Sequence, residues 1–152
     1  MSVTQLFRNS TYFSIEHLFS VLEPYFDGDI KKLTLPRRGA SPLTLLRNLL
    51  FCTKVKGVVH ITGDVHYAAL ALRGSATILT IHDIERLSRV RGLRKFLLGL
   101  LYFRLPMKKV RFVTCISQAT KDELLKFFPN MVLKHTLDME LLLIKKLLKT
   151  SV

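Results

Sequence analysis

Two short apolar runs, each ending in histidine and aspartate residues, constrain the fold of this chain more than any other feature. The first run covers residues 58–61, the second covers 76–81, and the Ala/Leu-rich residues 67–72 lie between them. The polar residues around the ends of the two runs are His60, Asp64, His66, His82 and Asp83. This order predicts a strand, a helix and a second, parallel strand. Open parallel sheets bind ligands beyond the carboxyl ends of their strands. The polar residues at the ends of the two runs are therefore expected to lie at the ligand-binding edge of such a sheet.

The remaining patterns continue this alternation. They predict strands over 2–7, 30–35 and 112–116, and helices over 15–22, 43–55 and 120–129. Beyond Pro129 the pattern changes, and Leu137, Leu141, Ile144 and Leu148 share one face of a basic amphipathic helix. The sequence therefore predicts a Rossmann-like three-layer α/β domain with a parallel sheet over residues 1–130, followed by a basic tail over 131–152.

Length and charge narrow the classes of function. The 152 residues are enough for one domain with a proper core, and 49% of them are apolar, which excludes a disordered chain. A formal charge of +13 predicts a polyanionic partner, either nucleic acid or an anionic membrane surface. Cys52 and Cys115 lie inside apolar runs, which favours reduced core thiols in a cytoplasmic protein. The N-terminus does not resemble a signal peptide, and no uncharged apolar run approaches 18 residues.

Residues 86–111 combine strong positive charge with aromatic side chains. The segment holds nine Arg or Lys residues and no acid. Leu93, Leu97, Leu100 and Leu101 repeat at helical spacing and are expected to face the sheet. The surplus charge and aromatics predict an interfacial helix on anionic lipid. The predicted contacts are Arg91, Arg94, Lys95, Phe96, Phe103, Lys108 and Lys109. A crossover helix with a solvated basic face is the alternative.

Four phrases, taken together, resemble a known family. They are SIEHLF from residue 14, VVHITGDVHY from 58, TILTIHDIERL from 77 and FVTCISQATKDELLKFF from 112. In this order they resemble the N-terminal domain of family-4 glycosyltransferases of the GT-B fold. The resemblance implies transfer of a sugar from a nucleotide-sugar donor to an acceptor hydroxyl, with retention and without a metal or other cofactor. It also implies a separate donor-binding domain and, in many members, a lipid-linked acceptor at the inner face of the membrane. The chain is then expected to be the acceptor-side half, inactive alone.

The resemblance and the strand ends together give the candidate site residues. His82 matches a histidine that lies beside the transferred sugar in this family, so the resemblance implies a catalytic positioning role. The candidate acceptor contacts are Ser14, His60, Asp64, Asp83 and Ser117. Each has a structural alternative: His60 as a satisfied core histidine, and the others as caps of the helix or turn that follows.

Two other classes of function stay open. One is a non-catalytic basic domain that binds membranes or nucleic acid, although no zinc-finger, RNP or helix-turn-helix signature supports the nucleic-acid version. The other is a two-metal phosphoesterase, because GDVH and HD both follow strands. Such enzymes usually add an Asp-x-His earlier in the chain than GDVH and a Gly-Asn-His after it, and both are absent from the sequence.

Overall fold

In the computed structural model the chain forms a six-stranded, all-parallel sheet with helices on both faces. The structure describes residues 2–9, 14–25, 28–129 and 136–138. The strands are β1 (Ser2–Phe7), β2 (Asp29–Thr34), β3 (Val58–Ile61), β4 (Thr77–Ile81), β5 (Phe112–Cys115) and β6 (Thr136–Asp138). The helices are α1 (Ser14–Leu22), α2 (Pro42–Cys52), α3 (Glu85–Ser88), α4 (Gly92–Leu98), α5 (Leu105–Lys109) and α6 (Gln118–Phe127). The strand order is β2-β1-β3-β4-β5-β6, which confirms the predicted Rossmann-like α/β fold.

Alternation along the strands sends neighbouring side chains to opposite faces of the sheet. Val59 and Ile61 enter the large apolar core, which also holds side chains from α2, α6 and the segment between β4 and β5. His60 points to the other face, where its ring meets the edge of Phe19 from α1, with centroids 5.1 Å apart. Helix α1 therefore covers the face opposite the main core, and the domain has three layers.

Two hydroxyl caps fix where helices begin. The side chain of Ser41 accepts from the backbone N–H of Thr44, and Pro42 occupies the first turn of α2, where a missing N–H costs nothing. Ser117 likewise accepts from the N–H of Thr120 at 3.1 Å, so α6 starts at Gln118. The predicted start of this helix at Thr120 is therefore wrong, because the serine that follows β5 is already the cap.

The connection between β3 and β4 is tighter than predicted. Residues His66–Leu70 form a 3-10 helix where the sequence predicts an α-helix over 67–72. A second short turn, Gly74–Ala76, follows almost at once. A Cβ atom on Gly74 would lie 2.1 Å from the carbonyl oxygen of Lys109, so only glycine lets the end of α5 approach this closely. The short crossover and the basic helix are thus packed directly together.

Helices α4 and α5 are joined through a π-helical segment, Gly99–Arg104, into one helix from residue 92 to 109. Pro106 has no N–H to give the Tyr102 carbonyl four residues earlier. His66 Nδ1 donates to that carbonyl instead, at 3.0 Å. The wider π turn changes the angle between successive side chains, so a face predicted from α-helical spacing does not continue through it.

This change of register reverses several predictions for residues 86–111. Leu93 and Leu97, predicted to face the sheet, are exposed, with 72% of Leu93 accessible. Phe103, a predicted membrane contact, is only 3% exposed and stacks on Phe128, with ring centroids 5.9 Å apart. The prediction for Phe103 is therefore wrong, because its ring is part of the core. Phe96 remains exposed, as predicted.

The predicted tail also differs where it is described. Thr136–Asp138 pairs in parallel with β5, so Leu137 belongs to a strand and not to the predicted helix. Leu141, Ile144 and Leu148, which define the rest of that prediction, lie outside the described residues.

Two buried histidines make the stability of this fold depend on pH. Burial lowers the pKa of both His60 and His66 to about 4 from the usual 6.5. Below about pH 6.5 the two histidines take up protons in the unfolded chain, while in the folded protein both rings stay neutral. Their contribution to the free energy of unfolding is therefore fully present above pH 6.5 and is lost as the pH falls below it. At pH 5 the expected loss is about 2 kcal/mol for each ring.

Urea unfolding near pH 7.5 and near pH 5 measures this loss. Replacing the exposed His17 by Gln should leave the difference between the two pH values unchanged. His60→Gln or His66→Asn should reduce it. Equal free energies of unfolding at the two pH values would show that the buried rings do not carry the effect.

Candidate functional site

His82 lies at the carboxyl end of β4, where the sequence predicts it. Its Nε2 donates to the backbone carbonyl of Thr62 at 2.5 Å, and the hydroxyl of Thr120 donates to the carbonyl of His82 at 3.0 Å. The ring also meets Phe19, with centroids 6.2 Å apart. Because the Thr62 carbonyl only accepts, Nε2 carries a proton, and Nδ1 is the ring nitrogen that this bond leaves available. His82 is thus held in one orientation between the ends of β3 and β4.

His60 is built into the sheet. Its Nε2 lies 2.7 Å from the hydroxyl of Thr80, which lies 2.7 Å from the hydroxyl of Thr114. Burial first and the nearby His82 second lower its pKa. A neutral, hydrogen-bonded ring at this depth fits the core alternative for His60 better than contact with an acceptor.

A polar cavity of about 310 Å³ lies among the described residues at the carboxyl edge of the sheet. It is called here the arginine cavity. Its lining residues are Arg8, Asn9, Arg37, Arg38, Gly39, Ala40, Asp64, Val65, Tyr67, Arg86 and Tyr102. They come from the loops that follow β1, β2 and β3, from the 3-10 helix after β3, from α3 and from the π-helical segment. The four guanidinium groups and one carboxylate give this lining a formal charge of +3.

Arg8 and Asp64 join two of these loops. Arg8 Nη1 lies 3.3 Å from Asp64 Oδ2, and both side chains are about a quarter exposed. The Nε–H of Arg8 is buried and has no hydrogen-bond partner among the described residues. Asp64 is therefore an ion-pair partner here. The predicted alternative of an N-cap is wrong, because Val65 holds the cap position of the following 3-10 helix.

Asn48 fixes the loop that carries Arg37 and Arg38. Its Oδ1 accepts from the backbone N–H of Arg37 at 3.0 Å, and its Nδ2 donates to the Arg37 carbonyl at 3.0 Å. The same Nδ2 lies 2.8 Å from the Tyr67 hydroxyl. Gly39 follows in the left-handed region, with φ of +99°. One buried amide therefore fixes the backbone of the segment that carries Arg37 and Arg38 at the cavity.

Two of the other predicted contacts make local hydrogen bonds to the turn or helix that follows them. Asp83 Oδ1 accepts from the backbone N–H of Glu85 at 3.1 Å, and Ser117 caps α6. Ser14 begins α1, and its side chain lies outside the described part of the chain. Of the predicted acceptor contacts, only Asp64 lines the arginine cavity.

The arginine residues were missed as site residues by sequence reasoning. No pattern in the sequence gives Arg8, Arg37 or Arg38 a role in a site. Their common signal is position, because each follows directly after a strand of the predicted parallel sheet. Arg86 was counted with the basic segment, yet its guanidinium lies 5.6 Å from the centre of the Tyr102 ring inside the cavity lining.

Comparison with known proteins adds no assignment. No family model matches the chain, and no curated protein matches it. Among the described residues, no helix is long and apolar enough to cross a membrane. In the same part of the chain, no three His, Cys, Asp or Glu side chains converge in a way that would hold a metal ion. Function is therefore inferred from the fold and from the cavity.

Replacing Asn48 by Ala should destabilise the protein and loosen the Arg37 loop. The variant leaves the Arg37 amide and carbonyl and the Tyr67 hydroxyl without their partner, which should cost about 2–3 kcal/mol. Urea unfolding gives the change, and faster amide hydrogen exchange around residues 37–40 should accompany it. Arg47→Ala, on the exposed side of α2, is the matched control and should change stability by less than about 0.5 kcal/mol. Equal stability of the two variants would mean that Asn48 does not hold the loop.

Proposed function

We propose that this chain is the acceptor-side domain of a sugar transferase of the family-4, GT-B type. The observation that carries the proposal is an open, polar cavity at the carboxyl edge of an all-parallel sheet, with an oriented histidine at the end of a neighbouring strand. Parallel α/β folds place their ligands at this edge. The resemblance of residues 58–67, 77–87 and 112–128 to that family supports the same reaction class.

Each part of the site has a distinct task in this proposal. The arginine cavity receives the acceptor and neutralises its negative charge. His82, with its proton held on Nε2 by the Thr62 carbonyl, presents Nδ1 as an acceptor toward a hydroxyl of the sugar or the acceptor. The nucleotide-sugar donor is bound mainly by a second domain. The absence of a metal or other cofactor stays a prediction that rests on the family resemblance.

Transfer should require both halves. The chain is mixed with, or fused to, the donor-binding domain of a family-4 transferase, and radiolabelled nucleotide sugars are supplied with a lipid extract as acceptor. The chain alone should give no product, and the joined halves should give labelled product. In the joined form His82→Ala should lower kcat by about 10²–10⁴-fold, as expected for one positioned hydrogen-bonding group.

His60→Gln is the matched control, because it also removes a histidine from a strand that leads to this edge. It should leave kcat near normal in the folded fraction. Turnover by the chain alone would contradict its assignment as a half. An unchanged kcat in His82→Ala would remove His82 from the site.

We also propose that the domain works at the cytoplasmic face of an anionic membrane, with α4 as the contact. Leu93, Phe96 and Leu97 share one face of α4 and are exposed, Phe96 by 61%. Arg91 and Arg94 flank them and are also exposed. A short apolar ridge framed by cations is typical of helices that lie in a lipid interface. Lys95 points elsewhere, since its Nζ lies 4.9 Å from the centre of the Phe127 ring.

The chain should co-sediment with anionic liposomes, bind neutral ones weakly and be released by roughly 0.5 M salt. Burial of Phe96 contributes about 1.5–3 kcal/mol, and each nearby cation about 1 kcal/mol. Leu93→Ser with Phe96→Ser should therefore weaken binding by at least about 30-fold. Leu43→Ser with Leu46→Ser is the matched control, because these leucines of α2 are similarly exposed, at 56% and 54%. Equal losses from the two pairs would rule out a specific contact through α4.

A further inference from the structure

The arginine cavity has the charge and the donors for one particular chemical group. We infer that it is a binding site for a diphosphate group. The inference deepens the proposed function and rests on it for the identity of the ligand as acceptor. The binding itself is a property of the described chain and can be measured without any sugar transfer.

Charge balance selects among anions. The formal charge of +3 on the cavity lining exceeds what a carboxylate or a single phosphate neutralises. A phosphate monoester carries about −1.5 to −2 near pH 7, and a second phosphoryl group adds roughly one more charge. A diphosphate therefore comes closest to neutralising the site.

The geometry of the donors agrees with this choice. Arginine presents a planar fork of N–H groups that pairs with two phosphate oxygens at once. Arg8 follows β1, Arg37 lies in the loop after β2 and Arg86 lies in α3, so the three arginines reach the cavity lining from three different parts of the fold. The buried Nε–H of Arg8 is a donor that no described residue satisfies. A ligand oxygen would satisfy it.

The cavity is also held in shape before any ligand arrives. Asp64 holds Arg8 at 3.3 Å, and Asn48 fixes both backbone groups of Arg37. Arg86 lies on the Tyr102 ring. A preformed arrangement lowers the cost of ordering side chains on binding. The same carboxylate repels an anion on its own side, so the diphosphate should lie toward Arg37 and Arg86.

Titration calorimetry on the full 152-residue chain tests the inference. The probes are inorganic pyrophosphate, phosphate and sulfate at roughly 50 mM salt. Pyrophosphate should bind with one-to-one stoichiometry and at least about 10-fold more tightly than sulfate. Arg37→Gln with Arg86→Gln should weaken it by about 10–100-fold, since each lost charged hydrogen bond is worth about a factor of ten.

Arg91→Gln with Arg94→Gln is the matched control, because it removes the same charge from α4, away from the cavity lining. It should change pyrophosphate affinity by less than about 3-fold. Ala40→Asp supplies a second variant, which keeps every arginine and adds a carboxylate to the cavity lining. It should also weaken binding by about 10-fold, with an unchanged unfolding midpoint as the check on folding.

Two further ligands separate the sources of the diphosphate. Geranyl diphosphate represents a lipid-linked acceptor, and uridine diphosphate represents a nucleotide. Tighter binding of the first assigns the cavity to a lipid-linked diphosphate, and tighter binding of the second assigns it to a nucleotide. Either result supports a diphosphate site.

Equal weakening by the two arginine pairs, or pyrophosphate binding no tighter than that of sulfate, would overturn the inference. Failure of sugar transfer with intact, Arg37-dependent pyrophosphate binding would leave the site standing and remove the transferase. Sugar transfer that is unaffected by Arg37→Gln with Arg86→Gln would leave the transferase standing and remove the arginine cavity as its diphosphate site.

Discussion

The parallel direction of every strand is the constraint on which the rest of this structure depends. All five strand pairs are parallel, so every strand delivers its carboxyl end to the same edge. Residues far apart in the chain are brought together there: Arg8 follows β1, Arg37 follows β2 and Asp64 follows β3. Had one of these strands been antiparallel, its arginine or carboxylate would lie at the opposite edge, and the charges would not converge. The electrostatics of the site are thus a consequence of topology.

A polar layer inside the sheet connects this edge to the core. His60, Thr80 and Thr114 form a continuous series of hydrogen bonds across β3, β4 and β5. His82, which directly follows β4, donates to the backbone carbonyl of Thr62 just beyond β3. Leaving one of these buried polar groups without a partner would destabilise the fold by more than a single hydrogen bond stabilises it. The side chains therefore favour the one arrangement of the strands in which all of these bonds form. This layer makes the fold sensitive to acid, because burial lowers the pKa of His60 to about 4.

Sequence reasoning succeeded where a residue's surroundings are local and failed where they are assembled by tertiary contacts. The β-α alternation and the position of His82 follow from apolar periodicity, which neighbours along the chain determine. Phe103 could not be placed that way, because a π turn before Pro106 moves it into the core and the His66 ring takes over the freed Tyr102 carbonyl. Arg8 and Arg37 become a site only through Asn48 and Asp64, which lie on other elements. A charged residue just after a parallel strand is a usable signal, whereas the partner that orients it is not visible in the sequence.

Two groups of arginines in the described part of the chain have different surroundings. In the arginine cavity, four arginines and Asp64 line one concave surface at the carboxyl edge of the sheet, so their charges act together on whatever enters it. On α4 the cations are exposed beside Leu93 and Phe96, where each interacts separately with a flat surface and is strongly screened by salt. Arg86 connects the two regions, because it precedes α4 in the chain while its side chain lies on Tyr102 at the cavity. A membrane held by α4 would therefore place an anionic headgroup on the part of the chain that leads into the cavity, so that attachment and recognition act on the same kind of ligand.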